Sequence, residues 1–282
     1  LSLIEAIVLG IIQGLTEFLP ISSTGHLTVA GKLMNLVSEN KPEEWTSFIA
    51  VIQLGTLLAV LIYFWNDLVS ISSDFINENI LKRKKFSEQS YNAKTGWLII
   101  IGTIPIAIIG LVFKEIIEGS FTKNLYVIAA SLILLAIILA AAEKIANHRK
   151  EIKDVTITDS IIIGIAQVFS LIPGSSRSGT TITGGLIMGL TREAAARFSF
   201  LLSIPAVLAS GILQLIQAVD FIDESMTINL IASTIISAVS GYAAIDFLLK
   251  YLRKNTTFVF IWYRIAIGIF ILLLLSLNII KP

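Results

Sequence analysis

The sequence predicts an all-α polytopic membrane protein, an inverted-topology repeat with six transmembrane helices and two re-entrant helical hairpins. Three observations carry that expectation. Of 282 residues, 55% are hydrophobic and 15% charged, against about 25% charged in soluble domains, and the mean hydropathy is +0.84. The apolar residues gather in runs that reach the ~20 residues a helix needs to cross a hydrocarbon core. Two further apolar regions resemble each other and are both broken near their middles.

Taken in order, residues 1–37 form the first broken region. A cleaved signal would carry a basic start and avoid Glu5 and Glu17, so residues 1–19 are expected to stay as structure. The break at Pro20-Ile21-Ser22-Ser23-Thr24-Gly25 stops one helix and caps the next. Each half is short for a full span, which favours a re-entrant hairpin, tolerable at membrane depth only inside protein or beside a wet cavity. Spans follow at 46–65, 97–117 and 125–146. The second broken region, 157–190, turns at Pro173-Gly174-Ser175-Ser176-Arg177-Ser178-Gly179. Spans at 198–219, 227–250 and 257–280 complete the chain.

Loop charges orient this layout. The 66–96 loop carries Lys82, Arg83, Lys84, Lys85 and Lys94; 144–156 carries Lys144, Arg149, Lys150 and Lys153; 250–256 carries Lys250, Arg253 and Lys254. Arg192 and Arg197 fall on the same side. The other side has Lys41, Lys114, Lys123 and Lys281, and the 220–226 loop is acidic through Asp220, Asp223 and Glu224. The positive-inside rule then places both termini outside, in a multi-pass plasma-membrane protein. The chain reads as one domain, 1–282. A first repeat unit covers 1–65 (hairpin 1–37, span 46–65), and a second, inverted unit covers 157–219 (hairpin 157–190, span 198–219). Such repeats place their site near the midplane, where broken helices converge.

Composition limits the chemistry. There is no cysteine, so disulfides, thiolate metal sites and thiol nucleophiles are excluded, and two histidines cannot build a multi-histidine metal site. A net charge of +1 without a basic face argues against a nucleic-acid partner.

The breaks hold the residues suited to chemistry. Gln13 and Glu17 share a helix face, and Gly10 and Gly14 admit a close neighbour. An acid at this depth is functional by default, the alternative being that Glu17 caps the turn or pairs with Arg177. Ser22, Ser23, Thr24, Gly25 and His26 open a new helix whose amides suit an anion, above all phosphate. Ser23 beside His26 is the minimum kit for an activated nucleophile or a base-held water; the alternative is a capping serine and a histidine on a nearby carbonyl. Arg177, flanked by Ser175, Ser176 and Ser178, offers a guanidinium fork for phosphate oxygens. It stands level with Thr24 in the paired reading of the two regions. Arg264 needs a partner inside the last span, with Glu193 or a headgroup as candidates, whereas Asp246, Glu143 and His148 read as solvated.

Gln13-x-x-x-Glu17, Pro20-x-Ser22-Ser23-Thr24-Gly25-His26 and Pro173-Gly174-x-Ser176-Arg177-Ser178-Gly179 resemble the signature motifs of the undecaprenyl-diphosphatase family, the bacitracin-resistance type integral membrane phosphatases. The resemblance spans essentially the whole chain and includes Tyr263-Arg264. It implies hydrolysis of undecaprenyl diphosphate to undecaprenyl phosphate and inorganic phosphate, recycling the lipid carrier for cell-wall polymers. It further implies a divalent cation (Mg²⁺ or Ca²⁺), membrane-lipid surroundings and homodimers. Carried over residue by residue, the catalytic set is Glu17, Ser23, His26 and Arg177. Phosphate would be bound by Gln13, Ser22, Thr24, Gly25, Ser175, Ser176, Ser178 and Gly179, and the metal would rest on Glu17. Because the first acidic-motif position is Gln13, water and diphosphate oxygens would complete the metal shell. The rival reading is a lipid-phosphate or anion transporter using the same inverted-repeat site.

Overall fold

The computed structural model describes residues 2–37, 42–218 and 224–281, which form helices and no strand. Lys41, Asp220 and Asp223, used above for topology, lie outside them. Ser2 caps α1 (Leu3–Phe18) through a reciprocal pair with Glu5. The helix stops at Leu19, whose extended backbone is what a following Pro20 demands. α2 (Ser23–Leu33) then turns back along α1. The second broken region repeats these moves. Thr156 and Asp159 cap α8 (Ile157–Val168), a tight turn follows at Phe169–Leu171, and α9 (Arg177–Ile187) folds back.

Between and after these pairs run α3 (Pro42–Tyr63), α4 (Trp65–Ile76), α5 (Tyr91–Val112), the short α6 (Lys114–Glu118), α7 (Leu125–Ile145), α10 (Arg192–Ala218), α11 (Glu224–Leu252) and α12 (Phe258–Ser276). Among the described residues, five helices are long and apolar enough to cross a membrane, or six if the bent pair Phe48–Tyr63 and Trp65–Leu81 counts as one span. These helices turn large apolar side chains outward, among them Ile108, Leu111, Leu134, Val239 and Phe270, as a lipid-facing surface does. α1 lies so close to α11 that a Cβ on Gly10 would sit 2.5 Å from the Ser233 carbonyl oxygen, which is the close approach expected of Gly10 and Gly14.

Four expectations are corrected. The 66–96 connection is not simply a loop: α4 and a wide turn at Asn77–Leu81 leave α3 at 76°. Phe75 stacks obliquely on Trp97, and the Trp97 indole N–H donates to Asn79 at 2.9 Å. The span expected at 97–117 is α5, starting earlier because Ser90 caps it, with α6 as a separate turn. Glu143 is buried rather than solvated, because Arg192 and the Thr257 hydroxyl both donate to it. His148 leans on the same cluster, with Nε2 3.2 Å from Arg192.

Ion pairs gather much of the basic charge at one end of the bundle. Arg197 pairs with Asp67 at 2.8 Å, Arg253 with Glu193 at 2.8 Å and Lys150 with Asp159 at 2.9 Å. Phe18, Phe64 and Phe200 interlock edge-on in the core between α1, α3 and α10. That core sets the end of α1 against α9.

Candidate active site

Both returning helices start from a serine in left-handed backbone. Ser22 has φ +75° and Ser176 φ +67°, and each hydroxyl accepts the amide three residues on, Gly25 and Gly179. A non-glycine residue there is strained by about 1–2 kcal/mol, which the cap offsets by about 1 kcal/mol. Counted from these caps, Arg177 stands level with Ser23, not with Thr24.

The carboxylate of Glu17, 6% exposed, is where the two tips meet. One oxygen accepts from Gln13 Nε2 at 3.0 Å and from Ser23 Oγ at 2.6 Å. The other accepts from Gln53 Nε2 at 3.0 Å and from Arg177 Nη2 at 2.5 Å. Four donors leave this carboxylate satisfied and its charge matched by a single guanidinium. Of the two alternatives for Glu17, the structure shows the pairing with Arg177. Gln53 was not among the sequence candidates. The available signal was a lone amide within the apolar run of α3, the kind of polar group in a span that warrants a functional reading.

A cavity of about 270 Å³ opens beside this cluster. Its lining is mixed: Glu17, Ser22, Ser23, Thr24, Gln53, Lys123 and residues 173–177 are joined by apolar side chains such as Ile49, Ile106 and Val207. Three buried polar atoms here lack a partner: Arg177 Nη1, Ser175 Oγ and Gln13 Oε1. Buried polar atoms are rarely left so, and a ligand rich in oxygens would satisfy the first two.

Gln13, which sits behind Glu17, and His26, Gly25, Ser178 and Gly179 do not line the cavity. A helix turns about 100° per residue, so part of each opening run faces away. His26 Nδ1 meets the Ser22 carbonyl at 2.7 Å, so it carries the proton, and Nε2 accepts from the Tyr263 hydroxyl at 2.8 Å. The carbonyl-bound histidine is thus the observed arrangement, with no hydrogen bond to Ser23. Ser178 donates to the Leu19 carbonyl at 3.0 Å, stitching α9 to the end of α1. Gly25 packs on Ile128, and Gly179 packs on Arg264. Arg264 meets carbonyls of the second tip rather than Glu193, which is taken by Arg253. Among the described residues no group of three or more acidic or histidine side chains is placed to hold a metal.

Against this geometry the sequence comparisons are specific. A model of the family described as bacitracin resistance protein BacA matches residues 6–270. The chain belongs to the BacA family. Similar relatives include a Syntrophobacter fumaroxidans protein, 55% identical over 95% of both chains. A Chloroherpeton thalassium protein is 49% identical over 99% of this chain and 98% of its own. One from Myxococcus xanthus is 46% identical over 100% and 92%. Each of the three is named undecaprenyl-diphosphatase. The BacA match takes in both serine-capped tips together with Gln53 and the Tyr263-Arg264 pair.

Proposed function

We propose that this BacA-family chain hydrolyses undecaprenyl diphosphate to undecaprenyl phosphate and inorganic phosphate. The carrying observation is Ser23 Oγ donating at 2.6 Å to a carboxylate that Arg177 holds from the other tip, at the edge of a cavity lined by both polar and apolar side chains. The apolar lining residues suit the first units of a prenyl tail. The polar ones, with Arg177 Nη1 and Ser175 Oγ unpartnered, suit the diphosphate.

The reaction follows from these contacts. Ser23 Oγ bonds to the terminal phosphorus while the bridging P–O bond breaks, and the Ser23 proton passes to Glu17 and on to the leaving undecaprenyl phosphate. Water then attacks the phosphoserine, its proton going to Glu17 and from there to Ser23 Oγ as phosphate leaves. Arg177 neutralises charge on the transferring group, the chief lever in phosphoryl transfer. His26 contributes by holding the Ser22 carbonyl, and so the cap that aims Ser23.

A divalent cation fits the donor set. Glu17, Ser23 and the unpartnered Gln13 Oε1 are hard oxygen donors, and Mg²⁺ is commonly held by one carboxylate plus substrate phosphates. When bound it would supply charge neutralisation on the diphosphate. The same proposal includes a plasma-membrane location, termini outside, re-entrant hairpins in an inverted repeat, and homodimers. The gathering of basic residues at one end supports the orientation. Transport is not favoured: the relatives are named for hydrolysis.

The test is phosphate release from undecaprenyl diphosphate in detergent, with and without EDTA, paired with a rapid-quench search for phosphate on Ser23. EDTA-sensitive release with a trapped phosphoserine is expected. No release from a folded, monodisperse protein would overturn the enzyme reading.

A further inference from the structure

Arg264 is the largest fully buried side chain of the described residues, 1% exposed, and no carboxylate pairs with it. A guanidinium in that position is costly unless something depends on it. Its Nη2 donates to the Ser175 carbonyl at 2.9 Å and lies 3.4 Å from that of Gly174. Its Nη1 would meet a Cβ on Gly179 at 2.7 Å, so it also fills the space beside the first turn of α9. Nε has no partner. The arginine therefore sits behind the second tip, whose other side, residues 173–177, lines the cavity.

A trans peptide points its N–H opposite to its C=O. With the Ser175 carbonyl drawn onto Arg264, the Ser176 amide is turned the other way, in line with the opening amides of α9, which have no intrahelical acceptor. Arg177 spends its own charge on Glu17. The uncompensated cation at this tip is thus Arg264, one layer behind the cradle. The neighbouring residue holds the other tip: the Tyr263 hydroxyl donates to His26 on α2. Adjacent side chains on a helix diverge by about 100°, so one turn of α12, which belongs to neither broken region, reaches both.

We infer that Arg264 is a positioning residue for phosphate binding: it fixes the Gly174 and Ser175 carbonyls away from the cavity, keeps the Ser176 amide aimed at the phosphate, and biases the site toward anions from behind. This rests on the proposed diphosphatase reading for its substrate, but not for its test. The experiment compares the parent with Arg264→Met and Arg264→Lys in detergent. It reads thermal unfolding, kcat and KM on undecaprenyl diphosphate, and the dissociation constant of inorganic diphosphate by calorimetry.

The expected result is a Met variant that still unfolds cooperatively, loses kcat/KM by about 10²-fold, the scale of one lost oxyanion donor, and binds inorganic diphosphate at least tenfold more weakly. The Lys variant, which keeps the charge without the fork, should recover part of that affinity. Unchanged diphosphate affinity in a folded Met variant would overturn the inference, even with activity lost, since that pattern marks a structural role alone. If the Met variant does not fold, the Lys variant decides: parental affinity for diphosphate overturns the inference and a several-fold loss supports it. A parent that binds diphosphate but releases no phosphate would defeat the diphosphatase reading and leave the Arg264 comparison intact.

Discussion

Removing one charge from the Glu17–Arg177 pair should cost more stability than removing both. Their side chains are 4% and 14% exposed, and the N–O distance is 2.5 Å. In Glu17→Gln the guanidinium stays buried without a counter-charge, and the two donors facing one of the carboxylate oxygens must meet an amide NH₂ instead. Breaking a buried pair from one side costs about 3–5 kcal/mol. We take about 3 kcal/mol here, because the cavity lets water reach the pair. For a chain of this size that is a fall of roughly 6–12 °C in melting temperature. Arg177→Met should fall similarly, since it leaves the carboxylate with three neutral donors. In the double variant neither charge remains, so its loss should be no larger than either single one, a coupling of about 3 kcal/mol. Thermal unfolding of the four proteins in one detergent, followed by tryptophan fluorescence, closes the cycle. Additive losses, or a Glu17→Gln variant melting within 2 °C of the parent, would refute the view that the pair is a matched buried unit.

Two further predictions separate roles and packing. Ser23→Ala should abolish phosphate release and the phosphoserine trap, whereas His26→Ala should keep the trap while slowing turnover by about 10²-fold, the scale of a nucleophile displaced by an ångström; a His26→Ala protein without any trapped phosphate would contradict the assignment of His26 to the cap. Gly164→Ala would press a methyl into the backbone of Gly102 on α5, 2.9 Å from its carbonyl carbon, and should destabilise by about 1–3 kcal/mol. Gly110→Ala meets nothing within 4 Å and should instead stabilise by up to about 1 kcal/mol, so equal effects in a melting assay would show that the packing argument fails.

The breaks at Pro20 and Pro173 were legible because proline and serine act locally: a residue before proline is extended and a serine after it caps. Glu17 and Arg177 were legible because ionisable groups in apolar stretches are rare enough to notice one at a time. What sequence reading could not supply was direction. Ser23 and His26 are three residues apart and share a helix face in any ideal helix, yet Ser23 reaches back to Glu17 while His26 is held by the Ser22 carbonyl and Tyr263. That choice depends on α12, far away in the chain. Gln53 and Arg264 were obscured for the same reason, since each acts across helices. Glu143 looked solvated because its partners, Arg192 and Thr257, come from α10 and the start of α12. α4 was lost in a loop reading because Ser72, Ser73 and Asp74 dilute its apolar face, Leu68, Ile71 and Phe75, which is turned toward α5 and α10.

The choice of arginine at 177 can itself be tested, because the geometry gives that side chain two jobs at once. Nη2 is committed to Glu17, while Nη1 is buried, unpartnered and next to the cavity. A planar fork can hold a carboxylate with one nitrogen and a phosphate oxygen with the other, so Glu17 is not released when substrate arrives. A lysine carries the same charge on a single nitrogen and has to divide it between the two. Arg177→Lys should therefore melt near the parent, recovering most of what Arg177→Met loses, because the ion pair survives. Its KM for undecaprenyl diphosphate should still rise by about tenfold or more, the worth of one charge-assisted hydrogen bond at roughly 1.5–3 kcal/mol. Melting and kinetics on the same preparation separate the two jobs. A lysine variant with both parental stability and parental KM would show that charge alone matters at this position, and the argument from the fork would fall.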